Sequence, residues 1–232
     1  MRKKLLIFVL SIIVCGCGNN NQAISSTITP TIPTEYIDRS FLTNELCKAP
    51  CWFDLEVNKS NRDDVMSVIT SLSFLNSDNT IETRISYFDE IREENFPATL
   101  LNVECMAQEN TSCATFIFVD NLLKTIMLSP NYSISFLDAV ETLGEPSFVR
   151  IWPDINNTDD CDIALQWTDN LIEVVDIRAG LNNPNRCANV FNGLGVSEEL
   201  SVDVISYIAP EDPILIRNPG DGGQPWEGFI ND

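Results

Sequence analysis

The 232-residue chain carries 34 acidic residues against 14 basic ones and no histidine, for a formal net charge of −20. Gripping a phosphate backbone takes a surface rich in lysine and arginine, so nucleic acid is excluded as a partner. The missing imidazole removes the usual general base at neutral pH, together with Ser-His-Asp and Cys-His pairs.

The chain opens on the basic residues Arg2, Lys3 and Lys4, followed by an apolar run from Leu5 to Val14. A spanning helix needs roughly 20 apolar residues, so this run is too short to cross a bilayer. A short apolar core behind a basic start is instead the pattern of a secretory signal. Val14-Cys15-Gly16-Cys17 resembles the lipobox of bacterial lipoproteins, with Gly16 as the small residue before the processing point. Cys15 is the poorer acceptor because the bulky Ile12, Ile13 and Val14 precede it. The resemblance implies that residues 1–16 are a signal peptide and that Cys17 carries a diacylglyceryl group, often with a further acyl chain. Buried acyl methylenes contribute about 0.8 kcal/mol each, and stable anchoring takes more than one chain.

Residues 17–34 form the lipidated cysteine and a disordered tether, since Gly18 to Gln22 and the Ser/Thr/Pro run to Thr34 offer almost nothing to a core. Without residues 1–16, which hold three basic and no acidic residues, the net charge becomes −23. Anionic headgroups repel such a chain, so lipid must do the anchoring. The expected location is the cell envelope, with the domain on the extracytoplasmic side.

Six cysteines remain beyond Cys15 and Cys17: Cys47, Cys51, Cys105, Cys113, Cys161 and Cys187. An even count in an exported chain argues for disulfides, and sequence proximity suggests Cys47 with Cys51, Cys105 with Cys113, and Cys161 with Cys187. The competing zinc reading fails, because Cys47 and Cys51 are separated by three residues, there is no second close pair, and histidine is absent.

Two segments begin alike. Ser60-Asn61-Arg62-Asp63-Asp64-Val65 and Ser135-Phe136-Leu137-Asp138-Ala139-Val140 each place an acid three residues after a serine, the arrangement of a capping box. Helical spacing follows in Val65, Val68, Ile69 and Leu72, and in Phe136, Leu137, Val140 and Leu143. The second helix should stop at Gly144-Glu145-Pro146. Expected strands are Arg84 to Phe88, Ala98 to Glu104, Cys113 to Val119 and Leu122 to Leu128 in a first unit spanning 35–130. In a second unit spanning 131–210 they are Phe148 to Trp152, Ile163 to Trp167 and Leu171 to Ile177. The turns Asp120-Asn121 and Asp169-Asn170 suit tight hairpins, because both residue types tolerate left-handed backbone angles. The first unit is longer between Asn76 and Cys113, through an insertion or elongated strands.

The pattern Ser-x-x-Asp-x-Val-x-x-Leu-Gly-x-Pro from Ser135 to Pro146, with the strands after it, resembles the small domain of the BamE (SmpA/OmlA) outer-membrane assembly lipoproteins and β-lactamase-inhibitor-like repeats. The resemblance implies helices packed on one face of an antiparallel sheet, and action by binding other proteins. The expected fold class is therefore α+β, with two related units, each of helix on antiparallel sheet.

Other chemistry is weaker. Glu90, Glu93 and Glu94, and Asp159, Asp160 and Asp162, are charge runs of the kind found on solvated loops, so no catalytic residue is assigned. Asp154, Asn156, Thr158 and Asp160 space oxygens like the start of a calcium loop, but Asp159 stands where a glycine is needed and Leu165 where a bidentate glutamate is needed. No metal or cofactor is assigned. Residues 211–232 read as a Pro/Gly-rich tail, flexible at Gly220-Asp221-Gly222-Gly223, in which Trp226 and Phe229 are expected to dock back on the domain, with contact to a partner as the alternative. Trp52, Phe53 and Trp167 are expected to fill the core. The sequence reads as a membrane-anchored, non-catalytic protein-binding or scaffolding module. An enzyme acting on a glycan through carboxylates and a solute or peptide receptor are the alternatives.

Overall fold

The computed structural model describes residues 38, 40–43, 47, 50–89, 94–106, 108–153, 161–169, 173–181, 196–209 and 223–229. Cys17, the tether, the Asp154 to Asp160 stretch and Cys187 lie outside the described residues. The compact unit covering residues 32–232 is α+β.

Its first described elements are a short helix α1 (Ser40–Thr43) and a minimal hairpin of β1 (Cys51–Trp52) and β2 (Leu55–Glu56). The two turn residues between them, Phe53 and Asp54, sit at φ 49° and 63°. A bulky residue in that region is strained. Ring packing holds Phe53 there, 5.0 Å from Trp52 edge-on and 5.9 Å from Phe74.

Helix α2 (Arg62–Ser71) follows, and its cap differs by one residue from the sequence expectation. Asn61, not Ser60, is the N-cap: its side chain accepts from the N–H groups of Asp63 and Asp64, while Asp64, not Asp63, accepts from the Asn61 N–H. The Ser60 hydroxyl is committed elsewhere, accepting the Glu56 N–H at 3.0 Å. Val65 and Ile69 are fully buried, with Val68 and Leu72 packed beside them. Helix α3 (Phe136–Leu143) has the expected Ser135–Asp138 capping box and ends at Gly144 with φ 84°. It buries Phe136 and Ala139, the alanine allowing close approach where no apolar anchor was expected.

Among the described residues, nine strands build one sheet: β3 (Leu75–Asp89), β4 (Glu94–Cys105), β5 (Gln108–Val119), β6 (Leu122–Leu128), β7 (Phe148–Pro153), β8 (Cys161–Asp169), β9 (Glu173–Leu181), β10 (Val204–Ile208) and β11 (Gly223–Pro225). Their order is β11-β7-β8-β9-β10-β6-β5-β4-β3, and every pairing is antiparallel. The stretch from Asn76 to Cys113 goes largely into elongated strands, since β3 has 15 residues and β4 and β5 have 12 each. β3 starts at Leu75, well before the expected Arg84, and its pairing with β4 is interrupted by a bulge between Asn76 and Thr80.

Two further corrections concern the second half. β10 was not anticipated, yet it is the seam of the sheet, pairing with β6 on one side and β9 on the other. The end of the chain is not purely a tail: Gly223, expected to be flexible, begins β11, which pairs with β7. Beyond it, Trp226 and Phe229 meet edge-on at 5.0 Å and pack on the core.

The two N-caps are tied to the sheet alike. Asn61 bridges Leu122 at the start of β6, and the Leu123 N–H donates to the Ser60 carbonyl at 2.9 Å. Ser135 bridges Ser201 just before β10, and the Val202 N–H donates to the Ile134 carbonyl at 2.8 Å. Asp120-Asn121 joins β5 to β6, and Asp169 ends β8 opposite Glu173 at the antiparallel connection to β9, while Asn170 lies outside the described residues.

One core cluster joins both halves, from Trp52, Val65, Ile69 and Phe116 through Ile126 and Tyr207 to Leu165, Phe136 and Val149. Trp52 is buried at its centre, while Phe53 and Trp167 pack at its margin. Burial in a low-dielectric interior disfavours the phenolate. It pushes the Tyr207 hydroxyl above its ordinary range, with Asp38 and Tyr132 adding to the effect.

Candidate interaction face of the sheet

Strand register assigns each side chain to one of two faces, because residues directly opposite point the same way and neighbours alternate. Leu101 stands opposite Phe116, Phe116 opposite Ile126, and Ile126 opposite Tyr207. This row belongs to the core beneath the helices.

The intervening residues form the other face. Thr83 on β3 pairs Leu100 on β4, Leu100 pairs Ile117 on β5, Ile117 pairs Thr125 on β6, and Thr125 pairs Ile208 on β10. Parallel rows run Ile85-Ala98-Val119-Leu122 and Ile81-Asn102-Thr115-Met127-Ser206. Further along, Gln166 pairs Phe148 and Ala164 pairs Arg150. None of these side chains is a member of the core cluster, although Ala98, Thr125, Ala164, Gln166, Ser206 and Ile208 are buried, and no helix among the described residues contributes to this face.

The face is apolar in patches and polar in between. Leu100, Ile117, Val119, Leu122 and Met127 are half-buried and Ile81 is 54% exposed, so the accessible part of the face lies on β3 to β6, while Ala164 and Gln166 on β8 and Ser206 and Ile208 on β10 are buried. The polar members are held in place: the Ser112 hydroxyl and the Thr115 hydroxyl both donate to the Asn102 side-chain oxygen, the latter at 2.9 Å. Fixed hydrogen-bonding groups between aliphatic side chains give a firm surface able to bury apolar area and still specify orientation.

The sequence carried a sign of this face that periodicity alone does not use. Phe116-Ile117-Phe118-Val119 is apolar without interruption, as in strands that have apolar surroundings on both sides. Phe116 and Phe118 are buried in the core, leaving Ile117 and Val119 for the other side.

Of the expected site residues, Cys47 and Cys51 are disulfide-bonded with Cα atoms 5.6 Å apart, and Cys105 and Cys113 are bonded at 4.9 Å. The second bond closes the β4–β5 connection at the end of the sheet. Cys161 is also disulfide-bonded, while its expected partner Cys187 lies outside the described residues. Cys47, Cys51 and Asp54 come together, but both sulfurs are engaged with each other, and the Asp54 N–H donates to the Cys47 sulfur at 3.3 Å.

A groove of about 310 Å³ at the edge of the sheet is lined by Arg62, Arg84, Pro97, Thr99, Phe118 and Asp120 among others. Asp120 is its single carboxylate, so it does not hold a carboxylate pair. A second cavity, under Tyr132 and Trp52, has about 20 Å³, room for a water molecule. There Asp38 accepts the Trp52 indole N–H at 2.9 Å. Comparison with known proteins finds no family model that matches the chain, and no curated protein or solved structure that matches it.

Proposed function

We propose that the chain is an extracytoplasmic lipoprotein, anchored through Cys17, whose two related helix-and-meander units act as a non-catalytic module that binds another protein on the open sheet face. The observation that carries this reading is the set of accessible aliphatic side chains on β3 to β6, Ile81, Leu100, Ile117, Val119, Leu122 and Met127, set among the fixed polar groups of Asn102, Ser112 and Thr115 and outside the core cluster. Contiguous apolar surface of this kind marks interaction sites.

The unit reading rests on the matched N-cap bridges, Asn61 to Leu122 and Ser135 to Ser201. In it, α2 with β3–β6 and α3 with β7–β10 are equivalent, and the seam strands β6 and β10 are their last strands. The layout agrees with what the resemblance to the BamE and β-lactamase-inhibitor-like domains implies. The disulfides suit an oxidising compartment, which is where a lipobox would send the chain.

Anchoring is tested by radiolabelled palmitate: the chain incorporates label and Cys17→Ala does not, while equal labelling refutes the anchor. Binding is tested by crosslinking and recovery from detergent-solubilised envelopes. A protein recovered with the chain and lost with Ile117→Glu supports the reading, and identical recovery from both contradicts it.

A further inference from the structure

One edge of the sheet is β3, which pairs with β4 on one side and with no strand among the described residues on the other. Beyond its bulge at Asn76/Thr80 the pairing is regular, and Ile81 to Arg84 are all exposed. Long unpaired edges with exposed aliphatic side chains are templates for further pairing, and proteins blunt them with Pro, charged side chains or bulges. Thr80 to Ser86 carries no Pro and pairs regularly with β4, and its two charges, Glu82 and Arg84, are of opposite sign, so they repel a strand of like charge but not a second copy of this one.

That segment, Thr80-Ile81-Glu82-Thr83-Arg84-Ile85-Ser86, is chemically palindromic about Thr83. Set antiparallel to a second copy with Thr83 opposite Thr83, it places Ile81 opposite Ile85, Glu82 opposite Arg84 and Thr80 opposite Ser86, each twice by symmetry. Opposite charges and β-branched pairs directly across an antiparallel ladder are favourable. The segment contains one acid and one base in a chain of net charge −20, so two copies meet at their electrically neutral edge. Glu82 already accepts from Arg62 of its own chain at 2.6 Å, and the pair is partly exposed, which leaves its second oxygen for an Arg84 from across the edge.

We propose that the chain self-associates through β3 as a two-fold antiparallel dimer centred on Thr83, joining two nine-stranded sheets and their open faces into one. An isologous contact of this kind uses the same strand on both copies and closes on itself. It depends neither on the lipid anchor nor on what the open face binds.

The test uses the full-length chain in detergent, with single cysteines added at the edge and mild oxidation followed on non-reducing gels. Thr83→Cys faces itself across the two-fold axis and should crosslink at least about tenfold faster than Ser86→Cys, whose copies stand about 20 Å apart in this register. A mixture of Thr80→Cys and Ser86→Cys chains should crosslink where neither does alone. Adding Arg84→Glu to the Thr83→Cys chain puts like charges opposite each other and should slow crosslinking by about tenfold or more. The double exchange Glu82→Arg with Arg84→Glu should restore it. Equal crosslinking from positions 83 and 86, or a double exchange that fails to rescue, overturns the proposal.

Discussion

Ile126 occupies the position on which the joining of the two halves depends. It lies on β6, fully buried, directly between Phe116 on β5 and Tyr207 on β10, which are themselves 0% and 1% exposed. Ile126→Ala removes roughly three carbons, about 2.4 kcal/mol of transfer free energy at 0.8 kcal/mol each. Neither ring neighbour can swing inward, because both are held by strands on either side, so the cavity persists and its own cost is added. The expected loss is about 4 kcal/mol, within the span of buried Ile-to-Ala changes, against about 1 kcal/mol for Ile126→Val. Urea unfolding followed in parallel by tryptophan fluorescence and far-UV circular dichroism measures it. One shared core predicts a single transition whose midpoint falls with unchanged slope. A loss below about 1 kcal/mol, or a second transition that stays in place while the first moves, refutes the shared core.

Replacing both Cys105 and Cys113 by alanine opens a loop closed across a separation of eight residues, and chain entropy puts the cost at about 2.5 kcal/mol, read from the same urea curves. Tyr207 gives an alkaline signature. Its hydroxyl is held above the ordinary tyrosine range by burial, so above pH of about 10 the unfolded chain releases a proton that the folded chain keeps. Stability then falls with rising pH by up to about 1.4 kcal/mol per pH unit. It is fully present below the unfolded pKa, and Tyr207→Phe should flatten the slope between pH 10 and 11.5, measured by melting temperature; parallel profiles contradict the assignment. Asn121, at φ 65° in the β5–β6 turn, should gain roughly 0.5 to 1 kcal/mol when changed to Gly, which adopts this angle without strain. A lower melting temperature for Asn121→Gly argues against a strained turn.

Local features of this fold could be read from the chain, and long-range ones could not. The Ser135–Asp138 cap and the Gly144 stop were legible because cap, period and terminator agree. At α2 the Ser60–Asp63 spacing placed the cap one residue early, because Asn61 with Asp64 forms the same box and Ser60 is buried and bonded to the Glu56 N–H. The Cys47–Cys51 and Cys105–Cys113 bonds join sequence neighbours, so proximity identified them. β10 escaped because its partners β6 and β9 are remote in sequence and no hairpin turn announces it. The same non-locality hid the open face, since no single strand shows that Leu100, Ile117, Thr125 and Ile208 lie in one row.

The most direct test of the binding module is a photo-crosslinking residue placed at Ile117, in the middle of the open face, compared with one at Thr70 on the exposed side of α2. Irradiation of intact cells should give a discrete adduct with another protein from position 117 and none from position 70. Adducts of equal yield from both positions, or none from Ile117, would contradict the assignment of the sheet face as the binding surface.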